Sequence, residues 1–378
     1  MPQRIMQFGT SRFLQAHADL FVHQARQDGQ DIGPITIVKT TGAGQRDGRV
    51  AAFHAMREFP VRLRGYEDGT LIDEVITVKG IAAAYDAHAN WQQVKDVFAH
   101  QTEIVFSNVG DSGFAVSVED SRAQPTEGSV PKSFAAKLLL LLKYRFEQGA
   151  RPLLILPCEL INDNGLVLRH CLQALAAAWA LPASFNDWLA SEVTICNTLV
   201  DRIVSEAIEP IGAIAEPYGL WAIQWGEAGE FPFQDFHVVL TGDLEPFARL
   251  KLHILNLGHT YLTEIWKSQL RAEDETVRDI LQDARVKSRL INLYEREIIP
   301  GFGLRNMAEP AARYMETTMQ RFENPFLKHR ISDIYQNHKV KMERRFAAFI
   351  DWTNSPDPAQ AFPELCEMCD NYLIKFGR

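Results

Sequence analysis

The chain has 378 residues, 46% of them hydrophobic and 23% charged, with a formal net charge of -9 from 39 basic and 48 acidic side chains. That length is too great for one ordinary core and predicts two or three domains, while the composition excludes dominant disorder and fibrous repeats. No basic tract or stripe is present, so nucleic acid is not an expected partner, and no apolar run approaches the ~18 residues of a membrane helix.

The opening MPQRIMQFG lacks a long apolar stretch with a cleavage site, so the expected location is cytoplasmic, with no membrane partner. Cys158, Cys171, Cys196, Cys366 and Cys369 are too sparse and too odd in number for a disulfide framework. Cys366 and Cys369 form a C-x-x-C without the second Cys or His pair of a structural zinc site, so they read as two helical cysteines and no metal is expected.

In chain order, residues 4–8 read as a strand, 13–27 as a helix and 34–39 as the next strand. Residues 61–63 and 71–78 read as an antiparallel excursion turning at Asp68-Gly69. Residues 103–107 are a strand, 132–148 a helix, and 152–157 (PLLILP) a continuous apolar strand of the kind buried on both faces of a parallel sheet. Residues 166–181 are helical; 221–224 and 237–240 return to strand character. After residue 244 long helical patterns dominate. The predicted class is α/β: an N-terminal Rossmann-like doubly wound sheet domain over 1–242, then a mainly α-helical substrate and catalytic domain over 243–378.

The segment Phe8-Gly9-Thr10-Ser11-Arg12-Phe13 joins the first strand to the first helix. In a dinucleotide-binding fold this turn lets backbone N–H groups approach a pyrophosphate at a helix N-terminus. Gly9 stands where the first glycine of G-x-G belongs, and Ser11 replaces the second. A plain strand-to-helix turn explains the same glycine. Strand two ends with Lys39 and no acid, which leaves NADP open beside NAD; a solvated lysine is the plainer reading. Asn108 follows a central strand at its carboxyl end and is expected to touch the nicotinamide ribose, and Glu159 follows the next strand as a residue in or beside the site.

The most informative stretch runs from Lys251 to Thr260. At ~100° per residue, Asn256 lies about 140° and His259 about 80° from Lys251, on one helical face. That grouping suits oxidation of an alcohol or reduction of a ketone without metal: Lys251 as proton donor and acceptor, Asn256 as a carbonyl-polarising donor, and His259 to orient substrate. An ordinary helix with satisfied polar residues fits the same pattern.

The K-x4-N-x2-H pattern of Lys251, Asn256 and His259 resembles the polyol-specific long-chain dehydrogenase/reductase family, also called the mannitol dehydrogenase family. QFGTSRFLQAHAD at 7–19, FSNVGDSGF at 106–114, PCELINDNG at 157–165, NTLVDRIV at 197–204, EPYGLWAIQ at 216–224 and RFENPFLKH at 321–329 agree with it, in order over nearly the whole chain. The resemblance implies a zinc-independent NAD enzyme with a Rossmann-like domain, a helical domain and a site between them. It implies Lys251 as general acid/base, Asn256 holding the reacting oxygen and His259 positioning substrate. The PCELI, NTLVDRIV and ILN-x-x-HT segments look most like the tagaturonate reductase, or altronate oxidoreductase, branch. Mannitol dehydrogenases carry an asparagine where this chain has Leu160, and the keto-uronate branch shares the leucine. The family's G-x-G is Gly9-Thr10-Ser11 here, a departure that bears on cofactor affinity and choice.

Arg321, Asn324, Lys328 and His329 form a polar cluster around Pro325. Arg321 is the preferred partner for a substrate carboxylate, with His329 second and Asn324 beside them; a surface ion pair of Arg321 with Glu323 is the alternative. Asp201-Arg202 reads as an ion pair that holds the two domains together, with a place lining the site as the alternative. The expected activity is NAD(H)-dependent interconversion of a keto-uronate and its aldonate. A mannitol, polyol or polyol-phosphate dehydrogenase is the alternative, and a non-catalytic sugar or nucleotide sensor is the alternative of another class. The expected partner is a small sugar acid or polyol, and the expected state a monomer or weak dimer.

Overall fold

The computed structural model describes residues 3–42, 47–110, 113–126, 128–226 and 229–375. Asp111 and Ser112 of the 106–114 segment lie outside these residues. The chain forms two compact units: Met1–Leu63 with Asp73–Leu244, and Arg64–Ile72 with Glu245–Arg378.

The strands are β1 (Gln3–Phe8), β2 (Ile32–Lys39), β3 (Glu58–Glu67), β4 (Thr70–Lys79), β5 (Ile81–Asp86), β6 (Ile104–Ser107), β7 (Leu153–Pro157), β8 (Val193–Ile195), β9 (Thr198–Asp201), β10 (Val204–Ala207), β11 (Ala213–Ala215), β12 (Leu220–Gln224) and β13 (Val238–Thr241). The principal sheet runs β5-β2-β1-β6-β7-β8, and every pairing in it is parallel. Numbered by chain position within the sheet, that order is 3-2-1-4-5-6, the doubly wound dinucleotide-binding order, whose switch point lies between β1 and β6. Both central strands β6 and β7 are buried along their whole length, as their unbroken apolar runs require. Their inward side chains pack with Val94, Phe98, Leu138, Leu142, Leu168 and Leu172 from the flanking helices.

Residues 50–80 do leave the alternation. The two-residue turn Asp68-Gly69 joins β3 to β4, and both sit in a second sheet, β10-β11-β3-β4. The single helix expected over 13–27 is two helices, Arg12–Ala16 and Ala18–Gln27, broken at His17 (φ -126°, ψ -94°). The break follows from burial: the His17 ring stacks on Phe13, lies against Phe21 and Trp221, and bonds the Leu220 carbonyl at 3.0 Å.

The second unit is helical around one apolar cluster that runs from Ile254 to Ile374. Three of its helical stretches widen into π-turns, at Lys251–Asn256, Tyr294–Ile298 and Glu343–Ala347. Cys366 and Cys369 lie buried in the helix Pro363–Asn371, as unpaired thiols. Among the described residues, no helix is long and apolar enough to cross a membrane.

Candidate active site

In the first unit the candidate residues lie at the carboxyl edge of the parallel sheet. Gly9 follows β1 at the switch point, with φ +119°, a conformation that L side chains rarely adopt. A Cβ on Gly9 would lie 2.5 Å from the Asn108 carbonyl oxygen, so the two loops approach through the missing side chain. The Gly9 N–H donates to the Val38 carbonyl (2.9 Å) and the Asn108 N–H to the Phe8 carbonyl (3.0 Å), tying three strand ends together. A glycine at the turn after the first strand is what close approach of a pyrophosphate to the backbone requires, so the turn fits a dinucleotide.

The side chains of the turn divide by role. Phe8 is in the core against Phe98 and Phe134, so only its backbone faces the turn. The Ser11 hydroxyl accepts from the Leu14 N–H (3.2 Å) as the cap of the short helix, and its own proton remains available to donate. Arg12 is committed elsewhere: its guanidinium donates to the Gly212 and Pro210 carbonyls and pairs with Glu209 at 2.8 Å. Phe13 stacks on His17. Thr10 is buried, and its carbonyl accepts from Arg49 Nη1 (3.1 Å). That brings a cation to the turn from far along the chain, and no sequence motif marked it.

Lys39 is not the solvated residue of the plainer reading. It is 2% exposed and pairs with Asp86 at the end of the neighbouring strand β5, Nζ to Oδ2 2.7 Å. Burial works against the Asp86 charge, but the Lys39 and His88 hydrogen bonds outweigh it and hold the carboxyl below its ordinary range. The cation at the end of strand two is therefore already neutralised by an acid.

Asn108 and Glu159 are locked to each other's loops. Asn108 Nδ2 donates to the Cys158 carbonyl (2.9 Å), while the Glu159 carboxylate accepts from Ser107 Oγ (2.9 Å) and the Val109 N–H (3.1 Å). Burial pushes Glu159 up to about 7 against those two hydrogen bonds. Asn164, fully buried, donates to the Pro157 and Glu159 carbonyls and accepts from the Thr198 N–H, which accounts for its place in the PCELINDNG segment. Burial raises the Cys158 thiol well above its usual range, so it is no nucleophile. Leu160 is 80% exposed at this edge. The Arg202 guanidinium donates to the Ala16, Pro217 and Tyr218 carbonyls.

In the second unit the candidate residues are helical. Lys251 and Asn256 open and close the first π-turn, and the Leu257 N–H reaches back five residues to the Leu252 carbonyl. The α-helical spacing assumed from sequence put these two residues about 140° apart. A π-turn closes its hydrogen bonds from i to i+5, so residues five apart stand on successive turns of the same face. Lys-x4-Asn is π spacing. The α-helix Leu257–Ser268 then starts, and His259, 7% exposed, lies three residues beyond Asn256.

The His259 ring packs on Phe322 (4.4 Å between centroids) and meets the edge of His329 at 4.9 Å. Burial lowers the His329 pKa, more than the Asp333 charge restores, so the ring is neutral at pH 7. Arg321 is 5% exposed, with Tyr314 Oη 3.4 Å from its guanidinium, so the surface pair with Glu323 does not form; Glu323 bonds Lys287. Asn324 is turned inward: its amide donates to the Arg64 carbonyl (3.0 Å) and accepts from the Phe326 N–H (3.0 Å), beside the Arg64 guanidinium stacked on Phe326. Lys328 is exposed. Among the described residues, no group of three or more His, Cys, Asp or Glu side chains is placed to hold a metal ion.

A parallel sheet in the dinucleotide-binding order, with a helical second unit in the same chain, gives the class: a protein built on a Rossmann-type domain. Residues 3–231 match the mannitol dehydrogenase Rossmann domain and residues 243–369 the mannitol dehydrogenase C-terminal domain. The altronate oxidoreductase of Halalkalibacterium halodurans is 31% identical over 91% of this chain and 70% of its own length; that of Bacillus subtilis is 27% identical over 91% and 74%. Among solved structures, a D-sorbitol dehydrogenase in substrate-free form superposes with a TM-score of 0.77 at 18% identity, covering 93% of this chain and 76% of that one. The Pseudomonas fluorescens mannitol 2-dehydrogenase, in ternary complex with NAD and D-mannitol, superposes at 0.71 and 19% identity, covering 93% and 75%. The chain belongs to the mannitol dehydrogenase family, and is with it an NAD-dependent oxidoreductase of CH–OH groups.

Proposed function

We propose that the chain reduces a linear keto-uronate of the tagaturonate type to the corresponding aldonate, and runs the reverse oxidation, with NAD(H) and without metal. The observation that carries the chemistry is the π-turn, which brings Lys251 and Asn256 onto one face. In the direction of reduction, Lys251 gives a proton to the carbonyl oxygen; in oxidation it removes that proton from the hydroxyl. The Asn256 amide donates to the same oxygen and stabilises the charge that develops there. His259, fixed between Phe322 and His329, directs a ring N–H or lone pair at a neighbouring hydroxyl. When bound, the nicotinamide supplies or accepts the hydride. The bare backbone at Gly9, the Ser11 hydroxyl and Arg49 behind Thr10 are the features suited to hold its pyrophosphate.

The acidic substrate is supported by Arg321 and by the relatives that carry the name altronate oxidoreductase. A guanidinium in a buried setting binds a carboxylate through paired, charge-assisted hydrogen bonds. His329, neutral, serves as a hydrogen-bond partner rather than a second charge. Asn324, with its amide used to hold Arg64 and Phe326, is a structural residue in this reading.

The test follows nicotinamide absorbance with NADH and NADPH separately against tagaturonate, fructuronate, fructose and fructose 6-phosphate. Fast oxidation of NADH with a keto-uronate is expected. Turnover confined to fructose or its phosphate would move the chain to the polyol branch, and binding without turnover on every substrate would make it a sensor.

A further inference from the structure

The three π-turns of the helical unit are laced together around the one that carries Lys251 and Asn256. Tyr294, first residue of the second π-turn, donates its hydroxyl to the Ile254 carbonyl at 2.9 Å. Arg345, in the third, donates Nη1 to the Asn256 carbonyl at 2.9 Å and to Thr260 Oγ1 at 2.7 Å. The Thr260 hydroxyl in turn donates to the same Asn256 carbonyl (3.1 Å). Arg345 is also an acceptor: its carbonyl lies 3.1 Å from His253 Nδ1. Burial drops His253 to about 3, so the ring is neutral and Nδ1 carries the proton it donates.

These contacts fall on the backbone at the widened turn. A π-turn is one extra residue inserted into an α-helix, and its N–H groups reach back unevenly: the Leu257 N–H meets both the Leu252 and the Ile254 carbonyls. Two carbonyls of that turn, at residues 254 and 256, receive side-chain donors from the two other π-turns. Gly258 makes this possible: a Cβ there would lie 1.9 Å from the Tyr294 hydroxyl, so any other residue would push the tyrosine off the Ile254 carbonyl. Phe349 and Trp352 pack on His253 and back the arrangement from the third π-turn's side.

We infer that Arg345 and Tyr294 are positioning residues for the reaction. They hold the Lys251–Asn256 segment in its five-residue register, and so keep the Asn256 amide and the Lys251 amine aimed at the same oxygen. Neither touches substrate. This inference rests on the assignment of Lys251 and Asn256 to proton transfer, and not on which sugar is reduced. Relaxation of the turn to α spacing would swing the two side chains apart by most of the ~140° difference, which lowers the rate of the chemical step and leaves cofactor binding alone.

The experiment compares Arg345→Gln, Arg345→Lys and Tyr294→Phe with the unaltered chain, on whichever substrate the unaltered chain turns over. Expected are a kcat at least tenfold lower for Arg345→Gln and Tyr294→Phe, and an NADH Kd within twofold of the parent. Arg345→Lys, which keeps a donor and the charge, should recover part of the loss. Hydrogen exchange of the amides of residues 252–260 should quicken in both damaging variants while the parallel-sheet amides do not change. Unchanged kcat in folded variants overturns the inference, as does a loss that tracks only the unfolded fraction. Failure of the keto-uronate reading is distinct, because it shows as absent keto-uronate turnover by the unaltered chain. Should that chain turn over nothing in the panel, the exchange comparison decides: equal exchange overturns the inference.

Discussion

Gly9 and Gly258 each remove a side chain where another group must come close, and the two regions around them differ in every other respect. At Gly9 the approaching group is a backbone carbonyl, that of Asn108, and the reason is local: a strand ends, the chain turns with positive φ, and the next parallel strand ends beside it. At Gly258 the approaching group is the Tyr294 hydroxyl, which arrives from 36 residues further along the chain to bond a carbonyl of the π-turn. The first region is a place to lay a ligand against backbone. The second is a helix held out of its ordinary register by side chains from two other helices. In the proposed reading, the first arrangement holds the cofactor and the second aligns the groups that move the proton.

That contrast is sharpest where binding and chemistry are measured apart. Lys251→Ala should reduce kcat by roughly a thousandfold, within the range for losing a general acid/base, with the NADH Kd unchanged by fluorescence titration. Equal loss of cofactor affinity would mean that the helical region also holds the cofactor.

Glu159 offers a test on stability. Its carboxyl is raised in the folded chain to about 7 from an ordinary 4.5, chiefly by burial, so the folded state holds this proton more tightly than the unfolded one. The contribution of Glu159 to stability should therefore fall as pH rises from about 4.5 to about 7, by up to about 3 kcal/mol, and be constant above. Chemical denaturation of Glu159→Gln across that window should show a flatter slope than the parent; an equal slope would leave Glu159 without this role. Asp19, buried and raised to about 8, contributes a slope of the same sign in both proteins and drops out of the comparison.

Gly9→Ala breaks the other side. The added Cβ meets the Asn108 carbonyl at 2.5 Å in a strained backbone region, a cost of about 1–3 kcal/mol. The NADH Kd should rise at least tenfold, while kcat at saturating NADH should move far less. Arg321→Met should raise the KM for a keto-uronate by about 10–100-fold, the worth of hydrogen bonds to a charged group, and leave any turnover of fructose unaltered. Smallest is Asp86→Ser, which removes the acid that pairs with Lys39 and should shift the NADPH-to-NADH ratio of kcat/KM by several-fold towards NADPH. No shift would mean that Lys39 and Asp86 serve the sheet alone.

Much of the first region was legible because its rules are short-range. The glycine after β1, the apolar run of β7 and the β–α alternation each follow from neighbours along the chain, and they led to the parallel sheet. The fate of individual charges was not legible. Lys39 reads as solvated until Asp86, 47 residues on, is seen beside it. Arg12 sits in the cofactor motif, yet its guanidinium is claimed by the 209–212 turn. Arg49 carries no motif and still reaches the Thr10 carbonyl.

In the second region the sequence by itself determined which chemical groups are present, since Lys-x4-Asn-x2-His supplies an amine, an amide and an imidazole whatever the helix does. Only the tertiary structure decided how they stand. A lone helical segment keeps the α register, because its own i to i+4 bonds favour it. The π register here is held by Tyr294 and Arg345, donors placed by the packing of two distant helices, and no local pattern encodes where such donors will land.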